Sequence, residues 1–331
     1  MVISRRAGEA PVSPRTADER RLPRTAERRS PRALAHDPPV TRTDWTLDRE
    51  FRGVEFLDDA RVRGGWDDAA WERLRRHGGM HLDRRRLDAA SPPDHVAAGT
   101  QVVAYSFACE PQRLEFPPDA ILLDEGGLVA VNKPPWWCVQ GTRASRLVSL
   151  ERELRTRLDC ARLTPIHRLD RETSGVILFA REGRVAGDIG KQLARREVRK
   201  EYVALVHPAP VEDTWIVEGR IVRIEHPSHS LFELRREGSE GLPSATRFEV
   251  AERRGEQARV RAFPLTGRTH QLRVHLVASG CPIVGDSLYS GGWSPGASWS
   301  AERLQLHASS IAFLLGGREM RIEAPIPADF G

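Results

Sequence analysis

Residues 165–181 contain the residue types that could support carboxylate chemistry. The first part, 167–175, reads HRLDRETSG, and the second, 176–180, is a short apolar run typical of a buried strand. Asp170 is therefore expected on a loop that leads directly into a core strand. A carboxylate that is held rigidly and partly withdrawn from water can act as a nucleophile or as a base. The same residue types also form ordinary surface turns, so this segment alone leaves both interpretations open.

A second carboxylate, Glu172, follows Asp170 closely in the sequence. Glycosidases use two carboxyl groups roughly 5 to 9.5 Å apart. Residues two apart on a loop rarely face the same point, so we interpret Asp170 as a single nucleophile or base. An ionised carboxylate in a partly dry cleft needs a cationic partner, because otherwise its pKa rises.

Residues 266–280, TGRTHQLRVHLVASG, offer such a cation. The pattern predicts a helix with Thr269 as its N-cap, Leu272 and Leu276 on its buried face, and Gly280 at its end. Arg273 follows Leu272 and is predicted on the flank of the buried face. An ordinary packing helix with an exposed arginine would have the same spacing.

Together these segments resemble the RluA-type pseudouridine synthases. Every position of the family loop HRLDxxTSG is present, and residues 266–280 continue through CPIVGDSLY as in the family. The K-x-Y motif stands at residues 200–202, NKP at 132–134, and LHASSIAF with EAPIPADF near the end. The resemblance covers residues 120–331. One departure lies in the NKPPWW loop, where the family usually has glycine at the position of Trp136 and often histidine at that of Gln140.

The resemblance implies the roles of the site residues. Asp170 would drive the isomerisation of a uridine, either by attacking the sugar or by taking a sugar proton. Arg273 would pair with Asp170, and Tyr202 would stack on the uracil, although a half-buried strand tyrosine is the commoner case. No metal and no organic cofactor is implied. Further RNA contacts are expected from seven residues, although His167 fits a structural hydrogen bond better: Arg168, His167, Thr173, Lys133, Lys200, Arg268 and His270.

Composition agrees with a polyanionic partner without proving one. The chain of 331 residues has a net charge of +5, and arginine supplies nearly all of its 51 basic residues. Only three are lysines, which suggests that Lys133 and Lys200 need a compact ammonium. The four cysteines form no CxxC pair, so neither a disulfide framework nor a zinc site is predicted. Without an apolar signal core or a long apolar run, we expect a cytoplasmic protein.

The sequence predicts four regions. Residues 1–45 are rich in Arg and Pro and are predicted to be a disordered tail. Residues 46–110 form a small unit with a helix at 67–77 and strands at 80–82 and 101–107. This unit resembles the αL RNA-binding module found in a small-subunit ribosomal protein, in some tRNA synthetases and in many pseudouridine synthases. A linker at 111–119 precedes the catalytic domain, 120–331.

The catalytic domain is predicted to be α+β, with a mixed, largely antiparallel sheet flanked by helices. Turns rather than regular helices separate most of its predicted strands, which argues against a doubly wound fold. Helices are predicted around 147–158 and 185–193. The predicted strands lie at 121–124, 128–131, 176–180, 200–206, 214–222, 245–251, 258–263 and 304–315.

The predicted function is that of an RNA pseudouridine synthase, acting as a monomer on ribosomal RNA first or transfer RNA second. One alternative is an RNA-binding ribosome-assembly factor whose catalysis is secondary or lost, because the tail is basic and the NKPPWW loop is altered. Another is a glycosidase acting on small nucleosides, which would release free uracil. The intact set of Asp170, Tyr202 and Arg273 argues against lost chemistry.

Overall fold

The structure, a computed structural model, describes residues 39–88, 91–112, 114–225, 230–289 and 301–330. A small N-terminal unit precedes a large sheet domain. The small unit contains strands β1 to β6 and two helices: β1 (Val40–Thr46), β2 (Phe51–Arg52), α1 (Gly53–Gly64), α2 (Asp68–His77), β3 (Met80–Leu82), β4 (Arg85–Arg86), β5 (His95–Val96) and β6 (Gln101–Phe107).

The small unit has an apolar core of its own. Helix α2 begins where the Asp67 carboxylate accepts a hydrogen bond from the Ala70 backbone N–H at 2.7 Å, and it ends at Gly78, whose φ is 67°. Its buried face, with Trp71 and Leu74, packs into a cluster that the four-stranded sheet β1-β6-β3-β4 covers. Helix 67–77 and the strands at 80–82 and 101–107 therefore form as predicted.

The boundary of the predicted tail was wrong. Residues 1–38 lie outside the described residues, but β1 pairs in antiparallel register with β6, from Val40 opposite Phe107 to Thr46 opposite Gln101. Most side chains along β1 are polar and exposed, so the sequence lacks the apolar alternation that would predict a strand there. The predicted linker is also partly ordered, because Phe116 packs into the core of the large domain with its ring 6.2 Å from that of Trp137.

The large domain is built on one sheet of eleven strands with three helices. The elements are β7 (Ile121–Glu125), β8 (Leu128–Lys133), α3 (Leu150–Arg157), β9 (Thr164–Pro165), β10 (Ser174–Ala180), α4 (Gly183–Ala194), β11 (Arg199–Val206), β12 (Thr214–Ile224), β13 (Leu231–Arg235), β14 (Leu242–Arg254), β15 (Gln257–Pro264), α5 (Gln271–Ala278), β16 (Leu306–Leu315) and β17 (Arg318–Glu323). The strand order is β13-β12-β14-β15-β11-β16-β10-β8-β7, with β17 on β16 and β9 on β10. Every pairing is antiparallel except β10 with β16, so the predicted mixed, largely antiparallel sheet is confirmed.

Strand β10 lies in the interior of this sheet and is buried on both faces. Ile177 and Phe179 pack into one apolar cluster, and Val176 and Leu178 pack into another. That double burial explains the unbroken apolar run in the sequence. Strands β13 and β17 were not predicted, because charged residues interrupt their patterns. Among the described residues, no helix is long and apolar enough to span a membrane.

Candidate active site

The loop that carries Asp170 is anchored where β10 begins. The Thr173 backbone N–H donates to the Asp170 carbonyl at 3.2 Å, closing a turn. The Ser174 hydroxyl hydrogen-bonds His307 Nδ1 at 2.9 Å. Gly175 has φ 109°, and a Cβ there would lie 2.2 Å from the Ala308 carbonyl oxygen on β16. The TSG part of the motif therefore lets β10 and β16 approach closely and holds the Asp170 loop rigidly.

Asp170 lies where two cavities meet. One has a volume of about 480 Å³ and is bounded by the NKPPWW loop and by Glu172. The other has a volume of about 880 Å³ and extends past Tyr202 and Lys200. Six residues line both cavities: Arg168, Leu169, Asp170, Thr269, His270 and Arg273. The half-buried Asp170 is thus accessible from both sides.

Tyr202 projects from β11 into the larger cavity. Its ring is half-buried and packs against two apolar clusters. Burial, and then the nearby charge of Asp170, raise the pKa of Tyr202, so its phenol stays neutral. Lys200 lines the same cavity, and burial lowers the pKa of its ammonium. Tyr202, Lys200 and Asp170, which the sequence analysis assigns to one site, therefore line the same cavity.

The predicted ion pair between Arg273 and Asp170 was wrong. Arg273 is buried, with 2% of its side chain exposed, and it donates from Nε and Nη2 to the Asp286 carboxylate at 2.8 and 2.6 Å. Its Nη1 lies 3.4 Å from Glu172. Within the described part of the chain, Asp170 forms no ion pair with this guanidinium. The predicted position of Arg273 on the flank of the buried face was also wrong, because its side chain is buried against Asp286 of the VGDSLY segment.

Glu172 faces the site after all. Its carboxylate is largely buried beside Arg273, and burial raises its pKa against the opposing effect of that cation. Burial by itself lowers the pKa of Arg273, but the Asp286 carboxylate outweighs it and the pKa is raised. Asp286 was missed from sequence because only the fold brings it to α5. Its Oδ1 also accepts hydrogen bonds from the backbone N–H groups of Leu288 and Tyr289 at 2.9 and 3.1 Å.

The prediction that Lys133 contacts RNA was also wrong. Lys133 ends β8 with none of its surface exposed, and its ammonium donates to the backbone carbonyls of Pro134, Trp137 and Arg171 at 3.0, 2.9 and 2.9 Å. Burial lowers its pKa to about 7. Three acceptors occupy all three of its donors. Lys133 therefore joins the NKPPWW loop to the Asp170 loop instead of contacting RNA.

Trp136 adopts a backbone conformation that favours glycine. Its φ is 72°, and the Arg171 guanidinium lies 5.4 Å from its ring centroid. The ring lines the smaller cavity, whereas Trp137 is buried in the core. The departure from the family at this loop thus places an aromatic ring beside the Asp170 cavity.

The turn before α5 is organised by Gln271 rather than by Thr269. Its side-chain oxygen accepts from the Thr266 hydroxyl at 2.7 Å and from the Arg268 N–H at 2.9 Å. The predicted N-cap was wrong: α5 begins after His270, whose φ is 54° and whose side chain does not cap the helix. His270 Nδ1 instead hydrogen-bonds the Tyr289 hydroxyl at 2.7 Å. Arg268 and His270 are thereby held at the cavity rim.

The remaining predicted residues differ in their access to RNA. Arg168 is exposed and lines both cavities. His167 Nε2 accepts a hydrogen bond from the Leu178 N–H at 3.2 Å, and burial lowers its pKa to about 4, so it is a neutral structural histidine. Thr173 is 2% exposed, and its hydroxyl has no hydrogen-bond partner among the described residues. Its predicted contact with RNA is therefore not available in this conformation.

Comparisons with known proteins place this geometry in a family. A family model described as RNA pseudouridylate synthase matches residues 127–278. Ribosomal large subunit pseudouridine synthase C of Salmonella typhimurium is 31% identical over 281 residues, covering 77% of this chain and 83% of that protein. The solved human RNA pseudouridylate synthase domain containing 4 has a TM-score of 0.53 at 25% identity, covering 64% of this chain and 90% of the solved one.

A second human structure, RNA pseudouridylate synthase domain containing 1, has a TM-score of 0.52 at 29% identity. The similarity covers 62% of this chain and 82% of the human one. The motifs at residues 167–175 and 266–280, the mixed sheet and these similarities agree with one another. The chain therefore belongs to the RluA-type family of RNA pseudouridine synthases, enzymes that act on RNA.

Proposed function

We propose that the protein isomerises a uridine of large-subunit ribosomal RNA, with Asp170 as the catalytic carboxylate. The observation that carries the proposal is the position of Asp170, half-buried at the meeting point of two cavities and near the Tyr202 ring. The names of the bacterial relatives support the choice of ribosomal RNA. Transfer RNA is the second candidate, and we propose that the protein acts as a monomer.

The target uridine must leave its stack, because the reacting bond cannot be reached inside a helix. The Tyr202 ring offers the extruded base an apolar face, and such stacking contributes about 1–3 kcal/mol per base. Asp170 then either attacks the sugar or takes a sugar proton. On either route the bond from ribose to the base nitrogen breaks, the base rotates, a bond forms to ring carbon 5, and the proton of carbon 5 is released.

The cations around the larger cavity fit the flanking phosphates. The Lys200 ammonium has no hydrogen-bond or ion-pair partner within the described residues, and this half-buried side chain lines the cavity. A desolvated ammonium gains most from an anionic partner. Arg168 and Arg268 line the same cavity. We assign these three residues to phosphate contacts, and we assign Arg273 to holding Glu172 and Asp286 around the catalytic loop.

Release of tritium from RNA labelled at uridine carbon 5 tests the role of Asp170. We expect Asp170→Asn to abolish release, because an amide is neither nucleophile nor base. The matched control is Asp188→Asn, which changes an exposed carboxylate on α4 that lines neither cavity. Full activity in Asp170→Asn would remove Asp170 from the mechanism.

A map of pseudouridines in total RNA from a deletion strain tests the substrate. We expect one or more sites in large-subunit ribosomal RNA to disappear and to return with the wild-type gene but not with Asp170→Asn. Sites lost only from transfer RNA would contradict the proposed substrate. Recovery of growth by Asp170→Asn without recovery of modification would instead favour the assembly-factor alternative, and free uracil as the product would favour a glycosidase.

A further inference from the structure

We infer that an arginine-lined groove between the small unit and α3 binds the sugar–phosphate backbone of the RNA whose uridine lies at Asp170. The groove has a volume of about 610 Å³ and contains four arginines: Arg86, Arg146, Arg152 and Arg155. Two carboxylates, Glu151 and Asp159, also line it, and Glu151 pairs with Arg155 at 2.6 Å. The inference rests on the proposed function for the choice of RNA as ligand.

Two of these arginines are exposed and unpaired. Within the described part of the chain, the guanidinium groups of Arg146 and Arg152 have no carboxylate or hydrogen-bond partner. Most arginines elsewhere on the surface do have one, as Arg157 has in Glu153 at 2.8 Å. Burial, and then the nearby charge of Arg146, lower the pKa of Arg86. Such a concentration of positive charge attracts an anion.

The groove continues into the catalytic cavity. Gly141 lines both the groove and the smaller cavity at Asp170. Arg86 of β4 donates to the Thr142 carbonyl at 2.5 Å, and Thr142 also lines that cavity. The His77 imidazole at the end of α2 hydrogen-bonds the Ser145 hydroxyl at 2.7 Å. The small unit is thus joined to the segment at residues 142–145, next to the point where the groove meets the smaller cavity.

The hairpin that carries Arg86 has an unfavourable turn residue. Asp83 and Arg84 join β3 to β4 with φ values of 45° and 68°. Two-residue turns with both φ values positive favour glycine at the second position. Arg84 and Arg85 are both exposed at this tip. Arg84 and Arg85 do not line the groove, but they add positive charge beside Arg86, and strained backbone such as that of Arg84 concentrates at functional sites.

The lining of the groove selects phosphate over bases. Within the described residues no aromatic side chain lines it, so it offers no stacking platform. Contacts of arginine with phosphate position a nucleic acid without reading its sequence. The groove would therefore add affinity and orientation for a longer RNA, while the choice of uridine stays with the cavities at Asp170.

Binding of oligouridines of 5 and 25 nucleotides at several salt concentrations tests the inference. For the 25-mer, Arg146→Gln with Arg152→Gln should reduce the slope of log affinity against log salt by about 1.4, since each single-strand phosphate contact contributes about 0.7. The ratio of the wild-type affinity to the variant affinity for the 25-mer should therefore fall about sevenfold between 50 and 200 mM salt. The 5-mer is too short to fill the two cavities and the groove together, so its affinity should change less than that of the 25-mer.

The matched control is Arg223→Gln with Arg318→Gln, which removes two exposed arginines that line none of the cavities described above. The inference would be overturned if the salt dependence of 25-mer affinity were the same in the Arg146→Gln, Arg152→Gln variant as in the control. It would also be overturned if that variant lost equal affinity for the 5-mer and the 25-mer. Arg84→Gly should raise the melting temperature and still weaken binding of the 25-mer; a more stable variant with unchanged binding would count against the hairpin. If no pseudouridine forms at all, the proposed function is contradicted, but the binding measurements still test the groove independently.

Discussion

Removal of the Arg273 guanidinium should destabilise the fold more than it perturbs Asp170 directly. Arg273→Ala would leave the Asp286 carboxylate, with 0% of its side chain exposed, without its bidentate partner at 2.8 and 2.6 Å. Loss of one member of a buried ion pair costs about 3–5 kcal/mol. In a domain of this size, such a loss lowers the melting temperature by roughly 6–20 °C. Glu172 would also lose the cation that opposes its burial.

Thermal melts of a double-mutant cycle measure this effect. Arg273→Met and Asp286→Asn should each be strongly destabilising, and the double variant should be more stable than the sum of the two losses predicts, by about 0.5–3 kcal/mol. Arg184→Ala is the control, because its side chain is 78% exposed and its contact with Glu182 is a surface one. We expect that control to stay within about 0.5 kcal/mol of wild type.

The pH dependence separates the observed contacts from the predicted pair with Asp170. If Arg273 neutralised Asp170 directly, its loss would favour a protonated Asp170, and activity would return as pH rises. Because Arg273 pairs with Asp286 instead, we expect the activity of folded Arg273→Ala to stay low across the pH range. A wild-type melting temperature in this variant, or recovery of its activity at high pH, would refute this reasoning.

Three further perturbations follow from the buried charges. Lys133→Met should destabilise the protein by roughly 3–5 kcal/mol in denaturant titrations, because three carbonyls, that of Trp137 fully buried, lose their donor. A loss under about 1 kcal/mol would contradict the assigned role. Burial raises the pKa of Glu172, so the folded state binds the proton more readily than the unfolded state does, and stability falls as pH rises through the raised pKa. Glu172→Gln should make the melting temperature less dependent on pH between pH 4 and 8. Burial lowers the pKa of His307 from 6.5 to about 4, so the contribution of its neutral form to stability is complete above pH 6.5 and is lost as pH falls towards 4. His307→Gln should weaken this loss of stability in acid, and an unchanged dependence of the melting temperature on pH would exclude His307 as its source.

Local features were predictable from the sequence because their physical causes are local. Helix α2 has its cap at Asp67 and its glycine at Gly78 within one short segment. The apolar run of β10 correctly predicted a buried strand, and the motif at residues 167–175 placed Asp170 on the loop before it. The resemblance at residues 200–202 and 266–280 identified the family, which the comparisons confirm.

The partners of the buried charges were decided only by the tertiary structure. Arg273 could reach several carboxylates in principle, and the fold brings Asp286 to it while Glu172 takes the remaining nitrogen. The motif predicts that Lys133 contacts RNA, but the pairing of β8 with β10 turns its ammonium towards three carbonyls. A buried charge binds whichever oppositely polarised groups the packing brings within about 3 Å, and sequence spacing does not encode that distance.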